Sequence, residues 1–389
     1  MKSTLIASLL LITLLSPQVR ACTAFAVYRN GLALAGNNED YWVTDTKIWF
    51  VPREGSKRGE SGQFGRVYFG FSNFFPQGGM NESGLFFDGF ATRANEIKKS
   101  IDRPHFEGNL IDHAMATCQN VEEVVNLFQG HNLSFLANAM LMFSDKDGDS
   151  VIIEGDEFLR IKGDHQIVTN FYQSLTEEEA CPCARYKTAQ KALGKGDPIS
   201  IASCRDILAA TRQDGKAKTQ YSNVYDLKNG IVHLYHYFNF AEVVSLDLSE
   251  ELKKGAHEID LPSLFPKNEK FLAFQELRKN ELHEQIEIRR SRDVDPGSYQ
   301  AYIGTYSLDV KQARKLQVEI AVEDRRLYAR NKEEQERQEI FPEGDDRFFY
   351  INDFGAWTYE FQRDRGKNIT GITVALKELG REFHGEKVK

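Results

Sequence analysis

The chain has 389 residues, 41% of them hydrophobic, and a formal net charge of −8. A chain of this length can bury more than one hydrophobic core. Its acidic balance argues against a nucleic acid as the partner, because phosphate binding requires an excess of basic residues on one surface.

The first 21 residues are expected to be a signal peptide that is removed on export. Lys2 supplies a positive charge, an apolar run follows at residues 5–15, and Pro17 ends that run. The run is too short to span a bilayer of roughly 30 Å. Cleavage after Ala21 would make Cys22 the first residue of a periplasmic or extracellular chain. No later segment is apolar enough to predict a membrane span.

Three roles are open to Cys22 at a new N-terminus. It could carry a lipid, as in a surface lipoprotein that binds without catalysis, but Arg20 fits a lipidation signal poorly and no flexible tether follows. It could form a disulfide, since the chain is exported. The residues favour a third role, a catalytic N-terminal cysteine. The sequence CTAFAVY enters a strand pattern directly and so places Cys22 in the folded body.

A β-hairpin is predicted to begin beside Cys22. The residues that follow alternate in polarity, Asn30–Gly31 is a two-residue turn signal, and the segment LALAG returns. This turn would pair Arg29 with Leu32. Counting outward along both strands then places Cys22 opposite Glu39.

The hairpin therefore predicts a thiol, an α-amine and a carboxylate at one place. Asp40 follows Glu39 and returns close to Cys22, while Ala24 and Ala26 share the face of the thiol and leave space beside it. The ordinary pKa of an α-amine is about 8 and that of a cysteine thiol about 8.5, so the amine can take the thiol proton near neutral pH. The thiolate can attack an amide carbonyl to form a thioester, which water then hydrolyses.

Several segments together resemble the N-terminal-nucleophile cysteine hydrolases. This family includes choloylglycine (bile-salt) hydrolase, penicillin V acylase and the relatives of acyl-coenzyme A:6-aminopenicillanic acid acyltransferase. The segments are CTAFAV, GNNEDYW, GGMNESGLFFDGFA, IVTNFY and CARYKTA, within about residues 22–250. The resemblance implies an αββα sandwich, hydrolysis of linear amide C–N bonds, a small N-acyl amide as substrate and no cofactor. An acyltransferase, in which an amine or thiol replaces water, is the alternative.

The resemblance also implies roles for individual residues. Cys22 matches the nucleophile, and Asp40 matches the aspartate of the family's G-R-N-x-D turn. Asn170, at the end of the segment IVTN, matches an asparagine whose side-chain amide donates to the oxyanion. Arg185 matches the arginine of an S-R-F segment, where it would tune the charge near the thiolate.

The sequence departs from the family pattern at two positions. Asn37 stands where the family turn has an arginine, so the charge beside the nucleophile is lower than in bile-salt hydrolases. The second oxyanion asparagine, expected about ten residues after Asn81, falls at Ala91 or Thr92, where a backbone N–H would have to serve. We expect Asn37 and Ala91 to contribute to substrate binding. The departures argue against bile salts and penicillin V as the substrates.

The other cysteines and the histidines predict no metal site. Four cysteines follow Cys22: Cys118, Cys181, Cys183 and Cys204. In an oxidising compartment one disulfide is expected, with Cys204 as a candidate partner, although the spacing does not define the connectivity. The C-P-C segment lacks the ligand spacing of a zinc site, and His233 and His236 fall on opposite faces of a strand.

The order of predicted elements indicates an α+β fold followed by a second domain. Strands and helical stretches within residues 22–255 suggest two packed sheets between helical layers. Residues 256–296 are charge-rich with helical spacing and indicate a linker. Residues 297–389 indicate the short strands of a small antiparallel β-domain. We expect this domain to frame the substrate entrance or to mediate assembly, and the sequence is compatible with a homo-oligomer.

Overall fold

The computed structural model describes residues 22–53, 63–94, 97–177, 181–290, 296–309, 316–332, 337–352, 355–376 and 381–388. The expected signal peptide at residues 1–21 lies outside the described residues. Within them the chain forms two large sheets, six α-helices and a closed barrel.

The first sheet is antiparallel and contains the N-terminal hairpin. Its six strands follow the order β10-β1-β2-β11-β12-β13. They are β1 (Thr23–Arg29), β2 (Leu32–Tyr41), β10 (His165–Thr169), β11 (Lys218–Asp226), β12 (Ile231–His236) and β13 (Asn239–Asp247). Arg29 pairs with Leu32, which confirms the predicted register. Thr23 pairs with Asn38, so Cys22, one residue before β1, lies level with Glu39.

The second sheet has eight antiparallel strands in the order β14-β3-β4-β5-β6-β7-β8-β9. They are β3 (Thr46–Val51), β4 (Arg66–Phe71), β5 (Pro76–Asn81), β6 (Phe86–Ala91), β7 (Ala139–Ser144), β8 (Ser150–Glu154), β9 (Glu157–Arg160) and β14 (His257–Asp260). The predicted start of the linker at residue 256 is wrong, because β14 pairs with β3 as an edge strand of this sheet. The ring of His257 stacks on Phe50, which holds the edge strand in place.

Helices cover the outer face of each sheet. Against the eight-stranded sheet pack α1 (Leu110–Thr117) and α2 (Val121–Gln129), and against the six-stranded sheet pack α3 (Ala184–Leu193) and α4 (Ile201–Thr211). Ser200 begins α4 by exchanging hydrogen bonds with Ser203, a capping box that satisfies two end groups of the helix. The residues of α2 buried on one face are Val121, Val124, Val125 and Phe128, the spacing of an amphipathic helix.

Three hydrophobic cores separate the four layers. Along β1, Ala24 and Ala26 belong to the core between the two sheets, whereas Phe25 and Val27 belong to the core under α3 and α4. This alternation is the two-residue period of a strand that is buried on both faces. The predicted αββα sandwich is therefore confirmed.

A closed eight-stranded barrel forms the C-terminal part, which confirms the predicted antiparallel β-domain. Its strands are β15 (Gly304–Asp309), β16 (Leu316–Glu323), β17 (Arg326–Asn331), β18 (Gln338–Gly344), β19 (Arg347–Asn352), β20 (Gly355–Arg363), β21 (Ile369–Leu376) and β22 (Arg381–Val388). Buried aromatic and aliphatic side chains, among them Tyr306, Ile320 and Phe348, form its core.

Two further helices precede the barrel: α5 (Leu248–Leu252) and α6 (Glu269–Arg290). The C-terminal end of α6 contacts the barrel, where the Arg289 guanidinium lies 3.6 Å from the centroid of the Phe349 ring. Arg290 and Glu339 form an ion pair at 3.0 Å. Among the helices that the structure describes, none combines the length and apolar character needed to cross a membrane.

The disulfide expected from the exported location is wrong. All five cysteines fall within the described residues, and all five are free. Cys204 lies in the core under α3 and α4, whereas Cys118 lies in the core under α1 and α2, two layers away. Both are buried as small apolar side chains, a common environment for a free cysteine.

The turn of the N-terminal hairpin offers a test of how the sequence determines the register. Asn30 and Gly31 have φ angles of 44° and 83°, the left-handed pair of a two-residue hairpin turn. Replacing Gly31 with alanine is expected to destabilise the fold by about 1–2 kcal/mol, because a Cβ disfavours this conformation. The added methyl would meet no atom within 4 Å, so backbone strain is the cause. Urea unfolding measures the loss.

The matched control for that substitution is Gly215→Ala. Gly215 does not have a left-handed φ, and an added Cβ would have only one neighbour, at 4.0 Å. The free energy of unfolding of Gly215→Ala is expected to differ from that of the wild type by less than about 0.5 kcal/mol. An equal loss in both variants would show that the turn does not depend on left-handed backbone at Gly31.

Candidate active site

The candidate site lies at the start of β1 and is divided between the two faces of the six-stranded sheet. Cys22 belongs to the core between the sheets. We call this side the thiol face; it also carries Asn37, Glu39 and Tyr221, which alternate with residues directed to the helices. The opposite side, with Thr23 and Asp40, faces α3 and α4 and is called the arginine face.

Arg185 connects the predicted catalytic residues on the arginine face. It is the second residue of α3, and its Nη1 donates to the backbone carbonyl of Cys22 and, at 2.6 Å, to the Thr23 hydroxyl. Its Nη2 donates to Asn170 Oδ1 at 3.3 Å, and its Nη1 lies 3.8 Å from the Asp40 carboxylate. The Arg185 guanidinium therefore contacts the three other residues that the sequence placed in the catalytic site, namely Cys22, Asp40 and Asn170.

Asp40 is fully buried and hydrogen-bonded on both carboxylate oxygens. The Thr219 hydroxyl donates to Oδ1, and Gln213 Nε2 donates to Oδ2 at 3.2 Å. A β-bulge in β11 between Thr219 and Tyr221 shifts the register at this point. Burial raises the pKa of Asp40 to about 7. The Thr219 hydrogen bond, the Arg185 charge and the Gln213 hydrogen bond act in the opposite direction and lower the pKa. An ammonium at the N-terminus of Cys22 would favour the charged carboxylate.

Cys22 is only 4% exposed, so its thiol has little contact with solvent. Burial raises the pKa of the Cys22 thiol well above its usual value, and the negative charges of Glu39, Asp40 and Asp88 raise it further. The backbone N–H of Asp40 acts in the opposite direction by donating to the sulfur. The thiol thus needs a proton acceptor at close range before it can act as a nucleophile.

Asn170 and Ala91, the two residues predicted around the oxyanion, are in contact. Asn170 directly follows β10, which pairs with β1 through Thr23 and Thr169. Its Nδ2 donates to the Ala91 carbonyl at 2.9 Å. An amide nitrogen carries two hydrogens, so a second donor remains for an oxyanion. The oxyanion role of Asn170 stays a prediction.

Asn37, predicted to bind substrate, is fully buried on the thiol face. It pairs with Ala24 on one side and with Asn223 on the other. It lies beside Asp88, whose pKa it lowers, while burial and the charge of Glu39 raise the pKa of Asp88 well above its usual value. An asparagine in place of arginine therefore leaves this face of the site acidic.

The sequence analysis missed several polar residues of the site. They are Asp88, Gln213, Thr219, Tyr221 and Asn223. One signal was available for Asp88, a single charged residue inside the apolar strand LFFDGFA. Thr219, Tyr221 and Asn223 lie about 180 residues after the hairpin and reach it through the pairing of β11 with β2, and Gln213 reaches Asp40 from the segment just before β11. No local pattern in the sequence predicts these contacts.

The chain is similar in structure to a solved acylase and a solved hydrolase. Penicillin V acylase from Agrobacterium tumefaciens matches with 17% identity and a TM-score of 0.47, covering 61% of this chain and 91% of the acylase. A variant of conjugated bile acid hydrolase from Clostridium perfringens matches with 19% identity and a TM-score of 0.49, covering 64% of this chain and 99% of the hydrolase. Both belong to the classes that the sequence motifs resemble.

The C-terminal part matches a different family. Residues 289–387, which include most of the barrel, match a domain of unknown function, DUF3471. No curated protein matches the sequence.

Proposed function

We propose that the protein is an exported hydrolase of linear amide bonds in N-acyl compounds, with Cys22 as an N-terminal nucleophile. The observation that carries this proposal is the set of contacts made by Arg185. They join the carbonyl of Cys22, the carboxylate of Asp40 and the side chain of Asn170 at the start of one strand. A nucleophile, a residue that orients its amine and an oxyanion donor then lie around one reacting carbonyl.

The α-amine of Cys22 is the proton acceptor that the buried thiol requires. The amine takes the thiol proton, and the thiolate attacks the amide carbon to form a tetrahedral oxyanion. Asn170 Nδ2 and a backbone N–H near Ala91 hold the negative oxygen. The ammonium returns the proton to the leaving nitrogen as the C–N bond breaks, which leaves a thioester on Cys22. Water then attacks the thioester by the same route and releases the acid and the thiol.

Arg185 and Asp40 position the amine for this proton transfer. Arg185 binds the carbonyl of Cys22, which fixes the first peptide unit and therefore the direction of the α-amine. Asp40 carries its negative charge once an ammonium forms beside it, so it stabilises the protonated amine between the two transfers. A partly buried arginine and a buried carboxylate can serve in this way because both are also bound by neutral partners, Thr23 and Thr219.

Mass spectrometry of the exported protein tests the proposal. We expect the mature chain to begin at Cys22 and to gain one adduct from a thiol-reactive analogue of an N-acyl amide. The adduct should be absent from Cys22→Ala and retained in Cys183→Ala, because Cys183 is the least buried of the five cysteines and provides the matched control. A diacylglycerol-sized mass on Cys22, a start at another residue, or labelling that persists in Cys22→Ala would overturn the proposal.

A further inference from the structure

A second acidic group faces the thiol from the other sheet. Asp88 lies in β6 between Phe86 and Phe90, which belong to the core between the sheets, so its side chain is on the same side. Asp88, Asn37 and Tyr221 are all 0% exposed, and Glu39 is 3% exposed. These four residues, called the acidic cluster below, form a polar group inside an otherwise apolar core. The mechanism proposed above uses none of them.

Asp88 has no cationic partner within the part of the chain that the structure describes. One carboxylate oxygen accepts the backbone N–H of Gly89 at 3.0 Å, and the neutral side-chain amide of Asn37 lies close enough to the carboxyl group to lower its pKa. Gly78 lies opposite Asp88 on β5, where a Cβ would approach the carboxylate to 3.2 Å. The structure thus leaves room for this buried carboxyl group without pairing it with a positive charge.

The atoms without partners around Asp88 are mainly acceptors. Asn37 Oδ1, Asn223 Oδ1 and the Tyr221 hydroxyl are buried and form no hydrogen bond with the described residues. The Asn37 side-chain nitrogen, which is a donor, lies beside Asp88. Buried polar atoms are nearly always satisfied, so each of these calls for a partner. A group with several N–H donors and a positive charge suits acceptors beside a carboxylate, and a primary ammonium has three such donors.

The position of the acidic cluster indicates which part of a substrate reaches it. Glu39 is level with Cys22 and pairs with Tyr221, and Asn37 is two residues further along β2. Neighbouring strands are about 4.8 Å apart and diagonal neighbours about 7–8 Å, so the cluster lies a few bonds from a carbonyl held at the thiol. The leaving amine must depart to solvent, whereas the acyl group stays attached to Cys22. A fully buried subsite therefore suits the acyl part.

We propose that the acidic cluster binds an ammonium group on the acyl part of the substrate, so that the preferred substrates are amides of amino-substituted acids. This inference rests on the proposed function. An organic ammonium fits better than a metal ion, because no three His, Cys, Asp or Glu side chains in the described ranges are arranged to hold one. In this inference Cys22 remains the nucleophile and the arginine face keeps the roles given under the proposed function. The acidic cluster adds selectivity for the acyl group.

The test compares two chromogenic anilides that differ in one terminal group. The 4-nitroanilides of 4-aminobutanoic acid and pentanoic acid have acyl chains of similar length that end in an ammonium or a methyl group. We expect kcat/KM to favour the ammonium substrate by roughly 10- to 100-fold, the range for hydrogen bonds to a charged group. Asp88→Asn should abolish that preference, and Tyr221→Phe, which removes one unpartnered hydroxyl, should reduce it by about 3- to 10-fold.

Two controls separate this inference from the proposed function. Asp206→Asn removes an exposed carboxylate of α4 and should keep the wild-type preference. Calorimetric binding of both anilides to the catalytically inactive Cys22→Ala protein reports recognition without turnover, and the ammonium compound should bind more tightly. Equal binding, or a preference for the methyl compound, overturns the inference even if both are hydrolysed. Tighter ammonium binding without any hydrolysis by the wild type supports the inference and counts against the proposed function.

Discussion

Replacing Cys22 with alanine is expected to lower kcat/KM for N-acyl amides by at least about 10⁴-fold while the protein stays folded. The variant keeps the oxyanion donors but cannot form a thioester, so only direct attack by water remains. The thiol face already carries alanine at positions 24 and 26, and removing one buried sulfur should cost no more than about 2 kcal/mol of stability. Steady-state kinetics and thermal unfolding measure the two effects.

Cys183→Ala is the matched control for this loss of activity. It removes a thiol from the N-cap position of α3, two residues before Arg185, and should change kcat/KM by less than about threefold. If Cys22→Ala kept activity within about tenfold of the wild type, Cys22 would not be the nucleophile. Equal losses in both variants would instead indicate disruption of α3 and of the Arg185 contacts.

Replacing Asp40 with asparagine is expected to stabilise the fold and to reduce activity. The folded-state pKa of this carboxyl is raised from 3.8 to about 7, mainly by burial. Between these pH values the unfolded chain releases the proton and the folded chain retains it, so the wild type loses stability as pH rises. Asparagine cannot ionise. The free energy of unfolding of Asp40→Asn should therefore exceed that of the wild type by an amount that grows from near zero at pH 4 to at most about 4 kcal/mol at pH 8.

Chemical denaturation of the wild type and Asp40→Asn at several pH values between 4 and 8 measures this difference. Asp206→Asn removes an exposed carboxylate, and its stability difference from the wild type should not increase with pH. The gain should be smaller in a chain processed to start at Cys22, because an ammonium beside Asp40 lowers the pKa of the carboxyl. A stability difference that does not depend on pH would show that Asp40 is ionised throughout.

The expected activity of Asp40→Asn is at least about 10²-fold below the wild type, measured as kcat/KM. Asparagine can accept from Thr219 but carries no charge to hold the ammonium form of the amine. A variant that is more stable and less active would show that this buried carboxyl is retained for catalysis at the expense of the fold. Unchanged activity would leave Asp40 as a structural residue of the hairpin.

Local signals predicted the first hairpin because its turn lies within the sequence that it joins. Asn30–Gly31 defines the turn type, the turn type defines the pairing of Arg29 with Leu32, and the level of Cys22 with Glu39 follows by counting. Helical stretches within the first domain and a helix in the charged linker were also predicted, since apolar spacing is readable within a few turns. The catalytic assignment of Cys22, Asp40, Asn170 and Arg185 needed the family resemblance and stays a prediction, while the structure shows that Arg185 contacts the backbone of Cys22 and the side chains of Asp40 and Asn170.

Pairings between distant segments were not predictable in this way. The contact of β11 with β2 brings Thr219 to Asp40 across 179 residues, and it includes a bulge that no periodicity shows. The edge strand β14 has only four residues in a charged segment, too few to distinguish it from a linker. The expected disulfide failed because export permits such a bond but does not bring two sulfurs into range.

The alternation along β1 separates two kinds of evolutionary change. Substitutions at Ala24, Asn37 or Asp88 alter the thiol face, where we propose that the acyl part binds, without touching the contacts of Arg185, because the plane of the six-stranded sheet lies between them. Substitutions at Thr23 or Thr219 affect the hydrogen bonds to Arg185 and Asp40 without reshaping the thiol face. A gene with this arrangement can acquire new substrates through changes on one face while selection keeps the other face constant.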